Sequence, residues 1–200
     1  LDEVDTKEER EEYVDLIHRN SDLLLQLLSD ILDLSRIEAG VLEFTFSKTD
    51  AHKVCNNVVV SLSNKCRSGV KLYLAPSANS MPLCTDVNRL MQVLINLVNN
   101  AIKFTSEGSI EVGYFSYNDE LAEFYVKDTG IGIAAEKQAV IFDRFTKLNN
   151  YVEGTGLGLS ICQTIVSLLG GEMGLESEEG TGSRFWFRIL KNQNAVEHKF

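Results

Sequence analysis

Apolar residues in the first forty positions recur at helical spacing. Ile17, Leu24 and Ile31 repeat every seven residues, as do Leu27 and Leu34, while Leu16, Leu23, Leu28 and Leu32 widen the stripe. A stripe of that width belongs in a helical bundle rather than on a lone surface helix. It predicts one long helix over 5–38, with Thr6 as N-cap, Glu9 as its capping-box partner and Gly40 as the C′ residue. No second long helix of this kind follows, so the helix is expected to self-associate or to pair with a helix from elsewhere. The period then changes. Val41 to Phe46 alternates, with Leu42, Phe44 and Phe46 on one side, and predicts a strand. A helix from about 50 to 67 carries Val54, Val58 and Leu62 on one face, and Val70 to Leu74 is a short strand. Pro76 to Pro82 is a connection, after which Asp86 opens a central helix that Thr105-Ser-Glu-Gly108 closes. Ser109 to Tyr117 and Leu121 to Lys127 form a hairpin around Asn118-Asp119. A glycine turn at 128–133, a short helix near 135–142, a mobile loop at 145–153 and a helix over 156–169 follow. Glu172 to Ser177 and Ser183 to Leu190 form a last strand pair, and the tail after Lys191 is polar and expected to fray. Three helices against a mostly antiparallel sheet make an α+β two-layer sandwich.

Composition narrows this picture. With 200 residues the chain suits one domain plus an appendage, and 44% hydrophobic residues support a real core. A formal net charge of −10 argues against an electrostatic grip on nucleic acid or an anionic membrane. Any phosphate site must therefore be built locally, from backbone N–H groups, a metal and a few lysines. Cys55, Cys66, Cys84 and Cys162 are widely spaced without a C-x-x-C pair, which fits buried thiols in a reducing compartment. No apolar run has the length of a membrane span and no signal peptide opens the chain, so this piece is expected to be soluble. It starts inside an acidic helical pattern, as a piece of something longer would.

Three segments carry candidate chemistry. On the central helix, Asn96, Asn100 and Lys103 follow one another at steps of four and three, which sets amide oxygens beside an ammonium on one face. Such a row suits a hard cation and the phosphates that travel with it. Asp128-Thr-Gly-Ile-Gly-Ile133 follows a strand directly, so the backbone can turn sharply against a flat ligand while Asp128 accepts from an exocyclic amine. Gly154-Thr-Gly-Leu-Gly-Leu159 precedes a helix, where successive N–H groups attract phosphate. It is neither a Walker A loop nor a good dinucleotide fingerprint. Each segment alone also reads as an ordinary turn or a solvated helix face.

Taken together, in this order and with Ile141-Phe-Asp-Arg-Phe145 between the last two, the segments resemble the catalytic ATP-binding domain of sensor histidine kinases, with their N, G1, F and G2 boxes. The fold so implied is the Bergerat (GHKL) ATPase sandwich, shared with gyrase, the MutL repair proteins and a heat-shock chaperone. Ile31-Leu-Asp-Leu-Ser-Arg-Ile-Glu-Ala-Gly40 looks like the end of the second helix of the family's dimerisation and phosphoacceptor hairpin, in the hybrid-type form. The resemblance implies three regions: that helix at 1–40, the catalytic domain at 41–190 and a tail at 191–200. It implies Asn100 as Mg²⁺ ligand, Asn96 near the γ-phosphate, Lys103 on phosphate and Phe104 beside the nucleotide. Asp128 would take the adenine amine, with Gly130 and Gly132 shaping the pocket. Gly154, Gly156 and Gly158 would close over the phosphates through N–H groups near Thr155, Leu157 and Leu159. Lys147 stands where many members carry a basic residue reaching the γ-phosphate, with Arg144 the near alternative; the F box lacks the commoner proline after its acidic position.

Where ATPase relatives place a glutamate, this chain has Asn96, and an amide cannot deprotonate water. ATP should thus be held for transfer, with Asn96 and Lys103 positioning and neutralising charge. His18 is followed by Arg19, His52 opens a helix and His198 lies in the tail, so none matches the family's His-acidic acceptor pair. The resemblance therefore implies an acceptor histidine on a helix outside this chain, no normal autophosphorylation by this piece, relay to a response-regulator receiver domain, and a homodimer through the N-terminal helix. It implies a cytoplasmic setting and leaves anchoring of a parent protein in the inner membrane open. The rival readings are a GHKL-fold ATPase, a serine-kinase anti-sigma factor, and a scaffold that has lost nucleotide. The leucine-striped helix speaks against the first two, and the intact polar and glycine set against the third.

Overall fold

The computed structural model describes residues 7–147 and 154–193. Helix α1 spans Lys7–Glu38 and is followed by strand β1 (Phe46–Asp50), helix α2 (Ala51–Leu62), β2 (Val70–Leu74), β3 (Pro82–Asp86) and α3 (Val87–Phe104). Then come β4 (Gly108–Ser116), β5 (Leu121–Asp128), α4 (Ala135–Gln138), α5 (Gly158–Leu168), β6 (Glu172–Glu178) and β7 (Gly182–Leu190). The main sheet has the order β2-β4-β5-β7-β6, antiparallel except for the parallel pair β2-β4. Helices α2, α3 and α5 cover one face, which is the expected two-layer α+β sandwich. Alternation along β5 sends Ala122, Phe124 and Val126 inward, where Phe124 stacks on Phe187 of β7 at 5.2 Å between ring centres. Val93, Leu94, Leu97, Val98 and Ala101 of α3 pack above them. The opposite face of α3 is left for polar side chains.

Three expectations are corrected. Residues 41–45 are not a strand. Their burial does alternate, but the backbone meets no neighbouring strand, and Thr45 N–H instead donates to Asp86 Oδ2 at 2.7 Å. The strand begins at Phe46 and pairs antiparallel with β3, an element missed at 82–86 because five residues led by proline show no clear period. The helix expected to reach 67 ends at Leu62 and passes into a 3-10 turn at Ser63–Lys65. The chain after Lys191 is held as far as Gln193. Gln193 N–H donates to the Cys84 carbonyl at 2.9 Å and its side-chain amide to the Leu169 carbonyl at 2.6 Å. Residues 194–200 lie outside the described residues, as do Thr6 and most of the expected loop at 145–153.

Helix α1 docks along one edge of the sandwich, against α5. Leu23, Leu27, Leu34 and Ile37 are half-buried, and Asp30 and Asp33 are buried among them. Asp33 accepts from Arg89 Nη1 at 3.1 Å and Gln92 Nε2 at 2.7 Å, both on α3. Gly40 ends the helix with φ +65°, and Val41 N–H reaches back to the Arg36 carbonyl at 3.0 Å. The rest of the apolar stripe faces away: Ile17, Leu24, Leu25 and Leu28 are each more than half exposed. Among the described residues, no helix is long and apolar enough to cross a membrane.

Candidate nucleotide site

Asp86 starts α3 by accepting the Arg89 N–H at 3.0 Å, which sets the helix register beneath the cleft. Asn96, Asn99, Asn100 and Lys103 then project from its polar face, with Phe104 at its end. All five line one cavity of about 480 Å³. The end of β5 delivers Asp128 to the same cavity, together with Ile131, Gly132 and Ile133 from the following turn. Gly154, Thr155, Gly156, Gly158 and Leu159 enter from the start of α5, and Lys147 and Lys137 add positive charge. In a chain of net charge −10, three lysines converge on one cleft.

The glycines make this convergence possible. Gly130 does not face the cavity. A Cβ there would lie 2.4 Å from the Phe104 carbonyl oxygen, so glycine lets the turn touch the end of α3, where Ile131 N–H donates to that same oxygen at 3.2 Å. Gly158 lies against the Asn96 amide, where a Cβ would come within 2.5 Å of Oδ1. The helix start and the amide row are thus packed directly together.

Asp128 is 6% exposed and accepts the Gly130 N–H at 2.8 Å. Burial raises its pKa above the ordinary value, and the Gly130 and Ser183 N–H groups offset part of the rise. Behind Asn96 lies Cys162, whose thiol is pushed up to about 12 by burial and donates to the Val93 carbonyl at 3.9 Å. That wall is therefore uncharged near neutral pH. Thr155 Oγ1 accepts the Leu157 N–H at 3.1 Å, which satisfies a free donor at the start of α5.

Besides Gly130, two further candidates fall elsewhere. Leu157 is fully buried in the core and its N–H is already bonded to Thr155. Arg144 pairs with Glu38 of α1, so of the two basic candidates it is Lys147 that reaches the cavity. Sequence reasoning missed Asn99, Phe185 and Lys137, and missed α1 altogether as a wall: Leu23, Gln26 and Asp30 line the same cavity. The spacing of three from Asn96 could have found Asn99. No local signal marks the face of α1 that meets the cleft.

Residues 85–193 match the family model described as histidine kinase-, DNA gyrase B- and HSP90-like ATPase. The chain belongs to that ATPase family. Residues 1–40 match the model of the His Kinase A (phospho-acceptor) domain. Among this family's curated members, the chain is 38% identical to the circadian input-output histidine kinase CikA of Synechococcus elongatus over 186 residues, covering 89% of this chain and 24% of CikA. It is 36% identical to the sensor histidine kinase RcsC of Escherichia coli over 183 residues, covering 88% of this chain and 19% of RcsC. The chain thus spans a quarter or less of the length of these curated relatives. Among solved structures of the family, full-length ShkA in complex with AMPPNP superposes with a TM-score of 0.80 at 31% identity, covering 93% of this chain and 40% of ShkA. The catalytic domain of histidine kinase ThkA superposes with a TM-score of 0.66 at 30% identity, covering 74% of this chain and 97% of that domain.

Proposed function

We propose that the cavity binds Mg²⁺–ATP and that the chain is the catalytic part of a sensor histidine kinase, passing the γ-phosphoryl group to a histidine carried on another helix, for relay to a receiver-domain aspartate. The observation that carries the reading is the meeting of the α3 amides, Asp128 and the glycine-flanked start of α5 around one cavity. Residues 41–193 would form the catalytic unit and 1–40 the bundle helix.

The donor set fits the ion and the nucleotide. Among the described residues, no group of three His, Cys, Asp or Glu gathers to hold a metal. Amide oxygens, Asn100 first, would hold Mg²⁺ together with phosphate oxygens. The ion would supply charge neutralisation when bound. Lys103, Lys137 and Lys147 line the wall for the phosphates, and Asp128 accepts the adenine amine. The amide of Asn96 orients without taking a proton, so a water molecule in the cleft stays un-ionised and hydrolysis stays slow. Neither His18 nor His52 lines the cavity, and His52 Nδ1 is engaged by the Ala78 carbonyl at 3.1 Å and Tyr114 Oη at 3.2 Å.

Calorimetric titration with AMPPNP should show one site whose affinity falls when Mg²⁺ is chelated. Labelled ATP should mark a supplied His-bearing helical hairpin but not this chain alone. Stable label on a histidine of this chain, or no heat with any adenine nucleotide, would refute the reading. The exposed leucine stripe of α1 supports a dimer through that helix. Light scattering at raised concentration should give twice the chain mass, and charged replacements at Leu24 and Leu28 should restore the monomer.

A further inference from the structure

Asp30 is the acidic side chain that α1 puts into the nucleotide cavity, and no expected site residue calls for it. It is 3% exposed and both oxygens are bonded. Gln26 Nε2 donates to Oδ1 at 2.7 Å, and Thr155 Oγ1 donates to Oδ2 at 2.7 Å. Thr155 has a single hydroxyl proton, and its oxygen already accepts the Leu157 N–H. The carboxylate therefore takes the one side-chain donor that the glycine-flanked loop holds toward an anion. Its charge also reaches deeper, since it adds to the rise in the pKa of the buried Cys162 thiol.

We infer that Asp30 is a specificity-determining residue which competes with the terminal phosphate of the nucleotide for Thr155, so that docked α1 selectively weakens binding of the phosphate-bearing ligand. This rests on the nucleotide reading of the cavity. A buried carboxylate beside a polyphosphate opposes it through the low local dielectric. The adenine end, at Asp128, is set by β5 and its turn and does not feel the contact. Helix α1 keeps its place without that charge, because Asp33 is held separately by Arg89 and Gln92.

The test is the ratio of adenosine to Mg²⁺–AMPPNP dissociation constants, measured by calorimetry on the full chain. Asp30→Asn should raise that ratio roughly tenfold by tightening only the Mg²⁺–AMPPNP term. Glu12→Gln, an equal charge change on the exposed part of α1 and outside the cavity, should leave the ratio unchanged. Asp30→Ala provides a second variant, frees the Thr155 proton as well, and should raise the ratio at least as far. An unchanged or lowered ratio in both Asp30 variants overturns the inference while the nucleotide reading stands. Absence of binding by both ligands to the unmodified chain and to the variants would instead remove the nucleotide reading, and this inference with it.

Discussion

Asp128→Asn is expected to lower adenine-nucleotide affinity by about 2–3 kcal/mol, roughly thirty- to a hundred-and-fiftyfold, with the fold intact. One oxygen of Asp128 must still accept the Gly130 N–H at 2.8 Å, because that bond shapes the turn. The asparagine carbonyl would take that place and turn its NH₂ group toward the cleft. A donor would then face the exocyclic amine of adenine, and a buried donor without an acceptor costs more than a lost bond. Calorimetry should show the loss for adenosine and AMPPNP alike, which separates this effect from that of Asp30. Acidification should reproduce it. Burial raises the Asp128 pKa above 3.8, so nucleotide affinity should start to fall above the ordinary carboxylate range as the group gains a proton. The stability sign is opposite. A raised native pKa means that the folded chain holds the proton more tightly than the unfolded one. The contribution of this group to stability is then full below the unfolded pKa and is lost as pH rises through the native value. Between those two values ligand affinity and the Asp128 stability term move in opposite directions. A melting curve recorded beside each titration checks this.

Gly132→Ala is expected to destabilise the chain by roughly 2–4 kcal/mol. Gly132 has φ +64°, and a Cβ there would lie 1.9 Å from the Glu178 carbonyl oxygen and 2.7 Å from its carbon. Those atoms are backbone at the end of β6 and cannot rotate aside. The turn after β5 is tied to this corner by Gly180 N–H donating to the Ile131 carbonyl at 2.7 Å and by Ile133 N–H donating to Ser177 Oγ at 2.9 Å. Opening the corner would strain both bonds and shift the wall that Ile131 and Ile133 give to the cavity. Gly180→Ala is the matched control. Its φ is +83° and nothing lies within 4 Å of a built Cβ, so it should cost only the left-handed backbone term of about 1–2 kcal/mol. Urea unfolding should show a lower midpoint at unchanged slope for both, with the larger drop at Gly132. Equal drops would mean that the contact with β6 carries no weight.

Local spacing was enough to read the amide row on α3, the hairpin of β4 and β5, the glycine turn after Asp128 and the two-layer class. These follow from periods of 3.6 and 2 and from backbone freedom at glycine, all of which act between near neighbours in the chain. Family resemblance supplied roles for those residues, and the fold brought most of them to one cavity. The N–H of Leu157, expected among the phosphate donors, is instead taken by Thr155, and a glycine-rich motif does not tell which of its N–H groups a neighbouring side chain claims. The strand over 41–46 failed because alternation reports burial, whereas a strand also needs a hydrogen-bonding edge, and that edge lies at β3. The docked face of α1 was beyond reach for a related reason. A stripe of apolar residues that winds around a helix specifies burial without saying against what. Only packing against α5 divided it into a half-buried edge at Leu27 and Leu34 and an exposed one at Leu24 and Leu28. That same packing carried Asp30 to Thr155, 125 residues away in the chain. Contacts of that range depend on how the layers stack, and no pattern within either segment encodes them.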